Sequence, residues 1–174
     1  MPELVTVLVV DAVIGPGKSD GTQWDGYEYV PSSIRSDLAK VIGGGIRSKI
    51  LDWLLSVANQ GLAKPDPYGW VELDVGNGYE ADAWLAGTGD NTEDTFTPIW
   101  PGGGSGWSEV PFVSDLRLRV TLFDEDLVND DDIGVAVINF DDVLEAWADG
   151  SKYYVLTADQ TANQLLMVGI EVFE

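Results

Sequence analysis

The stretch LRLRVTLF, residues 116–123, places Leu116, Leu118, Val120 and Leu122 at every second position, with Arg117, Arg119 and Thr121 between them. An extended backbone turns successive side chains to opposite faces, so this segment has one apolar face that must be buried. The same period of two, or a short β-branched run, recurs in LVTVLVVDA, YGWVELDV, YEADAWLAG, WSEVPFV, IGVAVINF, KYYVLT and QLLMVGIEVFE. Polar turns separate these runs, and GNG at 76–78 is a strong hairpin signal. Eight strands joined by such turns predict an all-β, antiparallel sandwich. FDDVLEAWADG reads as a short helix stopped by Gly150.

The period changes once. Between residues 31 and 64, PSSIRSDLAKVIGGG sets Ile34, Leu38, Val41 and Ile42 on one helical face, with Ser32 or Ser33 as N-cap and Gly43 as stop. IRSKILDWLLSVANQG sets Ile46, Ile50, Trp53, Leu54 and Val57 on one face and ends at Gly61. The expectation is one domain over 1–174 carrying a helical hairpin at 31–64. The hairpin holds five of the chain's nine bases and only two acids. Three uses are open to it: extending the sandwich core, laying Ile50 and Trp53 against lipid with Arg47 and Lys49 beside headgroups, or docking a protein partner.

The formal net charge is -21, with 30 acids against 9 bases. Nucleic acid is disfavoured, because phosphate binding depends on Lys and Arg. An anionic membrane is disfavoured too, unless a divalent cation inverts the local charge. The chain has no Cys and no His, which removes disulfides, thiolate or imidazole zinc sites, and every arrangement with a His base. The N-terminal run has Glu3 in place of a basic region and is broken by Asp11, so it does not read as a secretion signal. No apolar stretch is long enough to span a bilayer. A peripheral, cation-dependent association is the membrane role left open.

Negative charge concentrates in FDEDLVNDDDIG, residues 123–134, where six of the nine residues from Asp124 to Asp132 are acidic. Asp124 and Asp126 stand two apart at a strand end, a spacing that turns both to one side. Calcium takes six to eight oxygens, often from carboxylates, whereas magnesium prefers to keep its waters. The run is a poor match to an EF-hand, which needs Gly at the sixth position. Leu127 and Val128 interrupt the acids with an apolar pair.

In these segments the sequence resembles the C2 domain family, the calcium-dependent phospholipid-binding β-sandwiches. VTVLVVDA looks like the family's opening strand, and KPDPYGWVEL is similar to its S-D-P-Y-V-x-V, with Asp66 at the Asp position. GWSEVPFV matches a further family stretch through Trp107, Glu109 and Phe112, and VTLFDEDLVNDDDIG resembles V-x-D-x-D-x(4,6)-D-x-I-G. The closing segments are similar to the last two strands of the family's second topology, in which the chain starts and ends one strand later. The resemblance implies an eight-stranded sandwich that uses calcium as cofactor and a phospholipid surface as partner, with no catalytic role. It implies metal ligands at Asp66, Asp124 and Asp126, at Asp20 or Asp25, and at Asp130 or Asp131, with Leu127 and Val128 dipping into the bilayer. The helical insert falls inside the first ligand loop. Glu80 and Asp82 stand where some members carry a lysine-rich groove, which argues against phosphoinositide selectivity.

Two other classes fit less of the chain. A carbohydrate-binding sandwich with structural calcium would use some of the seven Trp, with Trp24 and Trp100 in loops. A glycosidase-like carboxylate pair can be imagined among so many acids, but it has no signal without geometry. A calcium-dependent protein-interaction module is not separable from the lipid-binding one by sequence. Glu125, Asp132, Asp141 and Asp142 are expected to be solvated charges.

Overall fold

In the computed structural model, which describes residues 2–86, 92–126, 129–157 and 164–174, the chain runs β1 (Leu4–Ile14), α1 (Ser32–Gly43), α2 (Arg47–Ala58), β2 (Pro67–Val75), β3 (Ala81–Leu85), a short 3-10 turn (Pro101–Gly103), β4 (Ser105–Pro111), β5 (Leu116–Asp124), β6 (Asp131–Ile138), α3 (Phe140–Asp149), β7 (Tyr153–Leu156) and β8 (Leu165–Phe173). Two four-stranded antiparallel sheets result, in the orders β4-β1-β8-β7 and β3-β2-β5-β6. The first and last strands lie side by side, Val7 opposite Val172 and Val9 opposite Ile170. That pairing is the shifted start and end expected of the second topology.

The alternation in β5 does what its period demands. Leu116, Leu118, Val120 and Leu122 are all fully buried, and the residues between them face outward. They meet β1, β6 and β8 side chains, including Val7, Ile133, Ala136, Met167 and Ile170, in one continuous core. GNG makes the β2–β3 turn, with Gly76 at φ 105 and Gly78 at φ 91, a region that favours glycine. α3 opens on a capping box between Asn139 and Asp142 and closes on left-handed Gly150. Asp142 is therefore a capping group rather than a free surface charge.

The inserted helices join the same core. Ile34, Ile50, Leu54 and Val57 are buried in it, and Leu38, Val41, Ile42 and Trp53 pack against it. The helical face was legible in the sequence; Ile50, expected against lipid, is instead 0% exposed within the core, and Trp53 is half-buried against it. Arg47 is likewise engaged, donating to the Tyr153 hydroxyl at 2.7 Å with its guanidinium over the Tyr153 ring. Ser32 is the first helical residue and Pro31 the N-cap, because the pyrrolidine presets the entry to the turn. α2 stops at Ala58 with Asn59 as C-cap, ahead of Gly61. No helix among the described residues is long and apolar enough to cross a membrane.

Candidate metal centre

The cup forms where β5 ends. Asp124 closes β5 and is 0% exposed. Its Oδ1 accepts the Asp66 N–H at 2.7 Å, while its Oδ2 is buried with no hydrogen-bond partner among the described residues. Oxygens from Asp25, Asp124 and Asp126 lie within 4.8 Å of one another. A buried carboxylate oxygen without a partner, facing two more carboxylates, is costly unless the group is protonated or a cation meets it.

Each acid has a local reason to be there. Asp66 sits between Pro65 and Pro67, whose rings hold the chain extended. Its N–H reaches Asp124, its carbonyl accepts the Glu125 N–H at 3.1 Å, and its Oδ1 accepts the Asp94 N–H at 2.5 Å. Asp25 follows Trp24, which is fully buried and donates its indole N–H to the Gly15 carbonyl at 2.9 Å. That anchor fixes the loop, and Asp25 then takes a left-handed φ of 48°, which Asp tolerates better than most residues. Asp126 follows Asp124 by two and donates its N–H to Asp130 Oδ1 at 3.1 Å.

The open pairs resolve on register. Asp131 lies directly opposite Asp124 in the β5–β6 ladder, and paired residues share a face. Asp131 accordingly lines the cleft with Asp25, Asp66 and Asp126. Asp130 is held on the other face by the Tyr68 hydroxyl, which donates to its Oδ2; that bond keeps the Asp130 carboxyl below its ordinary range and pushes Tyr68 up to about 12. Asp20 is also directed away from the cup. Its Oδ1 accepts the Thr22 N–H and hydroxyl at 2.9 and 2.7 Å, which lowers its pKa. Neither Asp20 nor Asp130 lines the cleft that Asp25, Asp66, Asp126 and Asp131 share. Leu127 and Val128 lie outside the described residues.

The electrostatics follow from this crowding. Burial, and then the charges of Asp25, Asp126 and Asp66, push Asp124 up to about 7 against the Asp66 amide. Burial, and then Asp126 and Asp66, raise Asp25. Lys18, which the sequence reading passed over, pairs with Asp131 Oδ2. Its only signal was position, in the loop GPGKSDG that also carries the Asp20 candidate.

Away from the cup, Trp24 and Trp100 are core residues at 0% and 2% exposure, so neither loop Trp offers a face to a sugar. The outer face of β2, β3 and β5 instead carries Tyr68, Trp70, Trp84 and Phe123 in mutual contact, with Trp84 exposed. Glu72 on this face is paired with Arg119 at 2.6 Å.

Strand order and the adjacency of the terminal strands make this a C2-like β-sandwich with two inserted helices. No protein-family model matches the sequence, and no curated protein matches it. Among solved structures, the chain is similar over 99% of its length to the calcium-bound tandem C2 domains of Extended-Synaptotagmin 2, covering 46% of that chain at 17% identity and TM-score 0.47. It is similar over 98% to a C2 domain of plant Extended Synaptotagmin 1, covering 92% at 13% identity and TM-score 0.46. Over 97% it is similar to human GIVD cytosolic phospholipase A2, covering 17% of that chain at 16% identity and TM-score 0.44.

Proposed function

We propose that this chain is a non-catalytic C2-type module that binds calcium between Asp25, Asp66, Asp124, Asp126 and Asp131 and attaches to phospholipid surfaces when calcium is bound. The observation that carries the reading is Asp124: a fully buried carboxylate with one oxygen unpartnered among the described residues, facing two other carboxylates within 4.8 Å. The donor set is all oxygen, which suits a hard cation, and carboxylates from three separate segments can meet calcium's loose geometry. Bound calcium supplies positive potential at a tip that is otherwise negative. The residues do the rest. Asp66 and Asp124 lock the two walls together through one amide, and Asp25 is brought in by the Trp24 anchor. On sequence grounds alone, Leu127 and Val128 are the side chains assigned to the bilayer.

Co-sedimentation with vesicles of mixed neutral and anionic phospholipid tests the reading. Binding should appear with calcium, vanish with chelator, and fall at least about tenfold in D124N/D126N. Equal binding with and without chelator contradicts it.

A further inference from the structure

The cup already has a cation beside it, supplied by the chain. Lys18 lies in the connection that follows β1, and its ammonium pairs with Asp131. It lines the same cleft as Asp25, Asp66 and Asp126.

This placement is built into the backbone. Lys18 donates its N–H to the Thr22 carbonyl at 2.8 Å, and its own carbonyl accepts the Gly21 N–H at 3.0 Å. A side chain on Gly17 would put Cβ 2.4 Å from Val30 Cγ2 and 2.5 Å from the Thr22 carbonyl oxygen, so only glycine fits the path that delivers Lys18. Thr22 is tied to Tyr29 by a β-bridge and to Asp20 by two hydrogen bonds. Asp20 therefore fastens the Lys18 turn instead of serving the cup. The Lys18 side chain is only 20% exposed, and the residue lines the cleft.

An ammonium is a compact single charge with three donors. It offsets one carboxylate and leaves Asp124 Oδ2 without a partner among the described residues. A divalent cation can engage several of these oxygens at once, but it needs the Asp131 oxygen that Lys18 holds, and the two positive charges repel strongly at such range.

We propose that Lys18 is the resident counter-ion of the cup, and that a divalent cation enters by displacing it, so that Lys18 sets the calcium concentration at which the cup fills. The inference rests on the calcium reading above and adds a built-in threshold to it.

Calcium calorimetry and thermal melts on the full chain test it with K18M, which keeps the stem and removes the charge, and K18R, which keeps the charge. K18Q repeats the neutral substitution with a polar tip, so a folding failure of one neutral variant leaves the other. The neutral variants should bind calcium about tenfold tighter than wild type, and K18R should stay within about threefold of it. In chelator the neutral variants should melt below wild type, and saturating calcium should close that gap. Calcium binding by K18M where wild type shows none is displacement in its strongest form and supports the proposal. Wild type and neutral variants binding equally, the variants binding more weakly, or an equal melting loss in chelator and calcium would overturn the Lys18 role while leaving the calcium site standing. No calcium binding by any of the proteins overturns both.

Discussion

Asp74 and Asp124 are buried aspartates at opposite ends of one sheet, and the chain treats them in opposite ways. Asp74, 5% exposed, accepts the Gly76 and Gly78 N–H groups at 2.8 and 2.9 Å and sits 3.4 Å from the Arg117 guanidinium. The Gly76 amide first of all, together with Gly78 and Arg117, holds its carboxyl below the usual range. Asp124 has one amide on Oδ1, no partner for Oδ2 among the described residues, and three acids around it, and its carboxyl is pushed up to about 7. A third buried acid, Asp11, also leaves an oxygen without a partner, but Lys152 at 2.5 Å supplies its counter-charge. Protein groups complete Asp74 and neutralise Asp11. Asp124 alone of the three is left facing other carboxylates, with Lys18 reaching no further than Asp131. The difference separates acids that protein groups satisfy from one that is left among like charges.

Substitution should split the two ends. D74A removes the acceptor that closes the β2–β3 turn and should lower the melting temperature by about 5 °C, equally in calcium and in chelator. D124N should act with the opposite sign in chelator, raising the melting temperature by about 3 °C, because the amide is neutral and can donate toward Asp25 and Asp126. In calcium the same variant should melt below wild type. Scanning calorimetry in both buffers reads all four values. A fall for D124N in chelator would make Asp124 a second Asp74 and erase the distinction.

A smaller effect is expected in pH. Between about pH 4 and 7 the folded, metal-free protein keeps a proton on Asp124 that the unfolded chain has released. The folded state binds more protons there, so this group makes stability fall as pH rises through that window. Asp74 has the reverse sign, since its lowered pKa adds stability that is lost only as pH falls through the acid range. Urea midpoints from pH 5 to 7.5 should show a downward contribution in wild type that D124N lacks and that calcium suppresses. Superimposable wild-type and D124N profiles would break the contrast.

The sandwich was legible because period-two patterning is a local property. Leu116, Leu118, Val120 and Leu122 announce their common face without any partner being known. Asp124 and Asp126 were legible for the same reason, through their i, i+2 spacing. That Asp25 and not Asp20 lies beside them was not, because it depends on a buried Trp24 tied to Gly15 and on a left-handed backbone at Asp25. The choice of Asp131 over Asp130 depends on β5–β6 register, which shifts between Leu122 and Phe123 and so depends on a pairing that spacing along one strand does not reveal. The insert shows the same limit. Its apolar stripe was readable, but whether Ile50 met lipid or core depended on what lay opposite, and that is the sandwich. Lys18 was hidden because one lysine in a turn has no pattern; it gains meaning only through Asp131, 113 positions away.

Isothermal calorimetry of calcium into wild type and D124N/D126N tests the central claim most directly. Wild type should give a saturable binding heat, accompanied near pH 7 by proton release to the buffer as the metal displaces the Asp124 proton. The double variant should lose at least about a hundredfold in affinity, since two of the clustered carboxylates become neutral. Featureless titrations for both proteins, or the same affinity in each, would contradict the account.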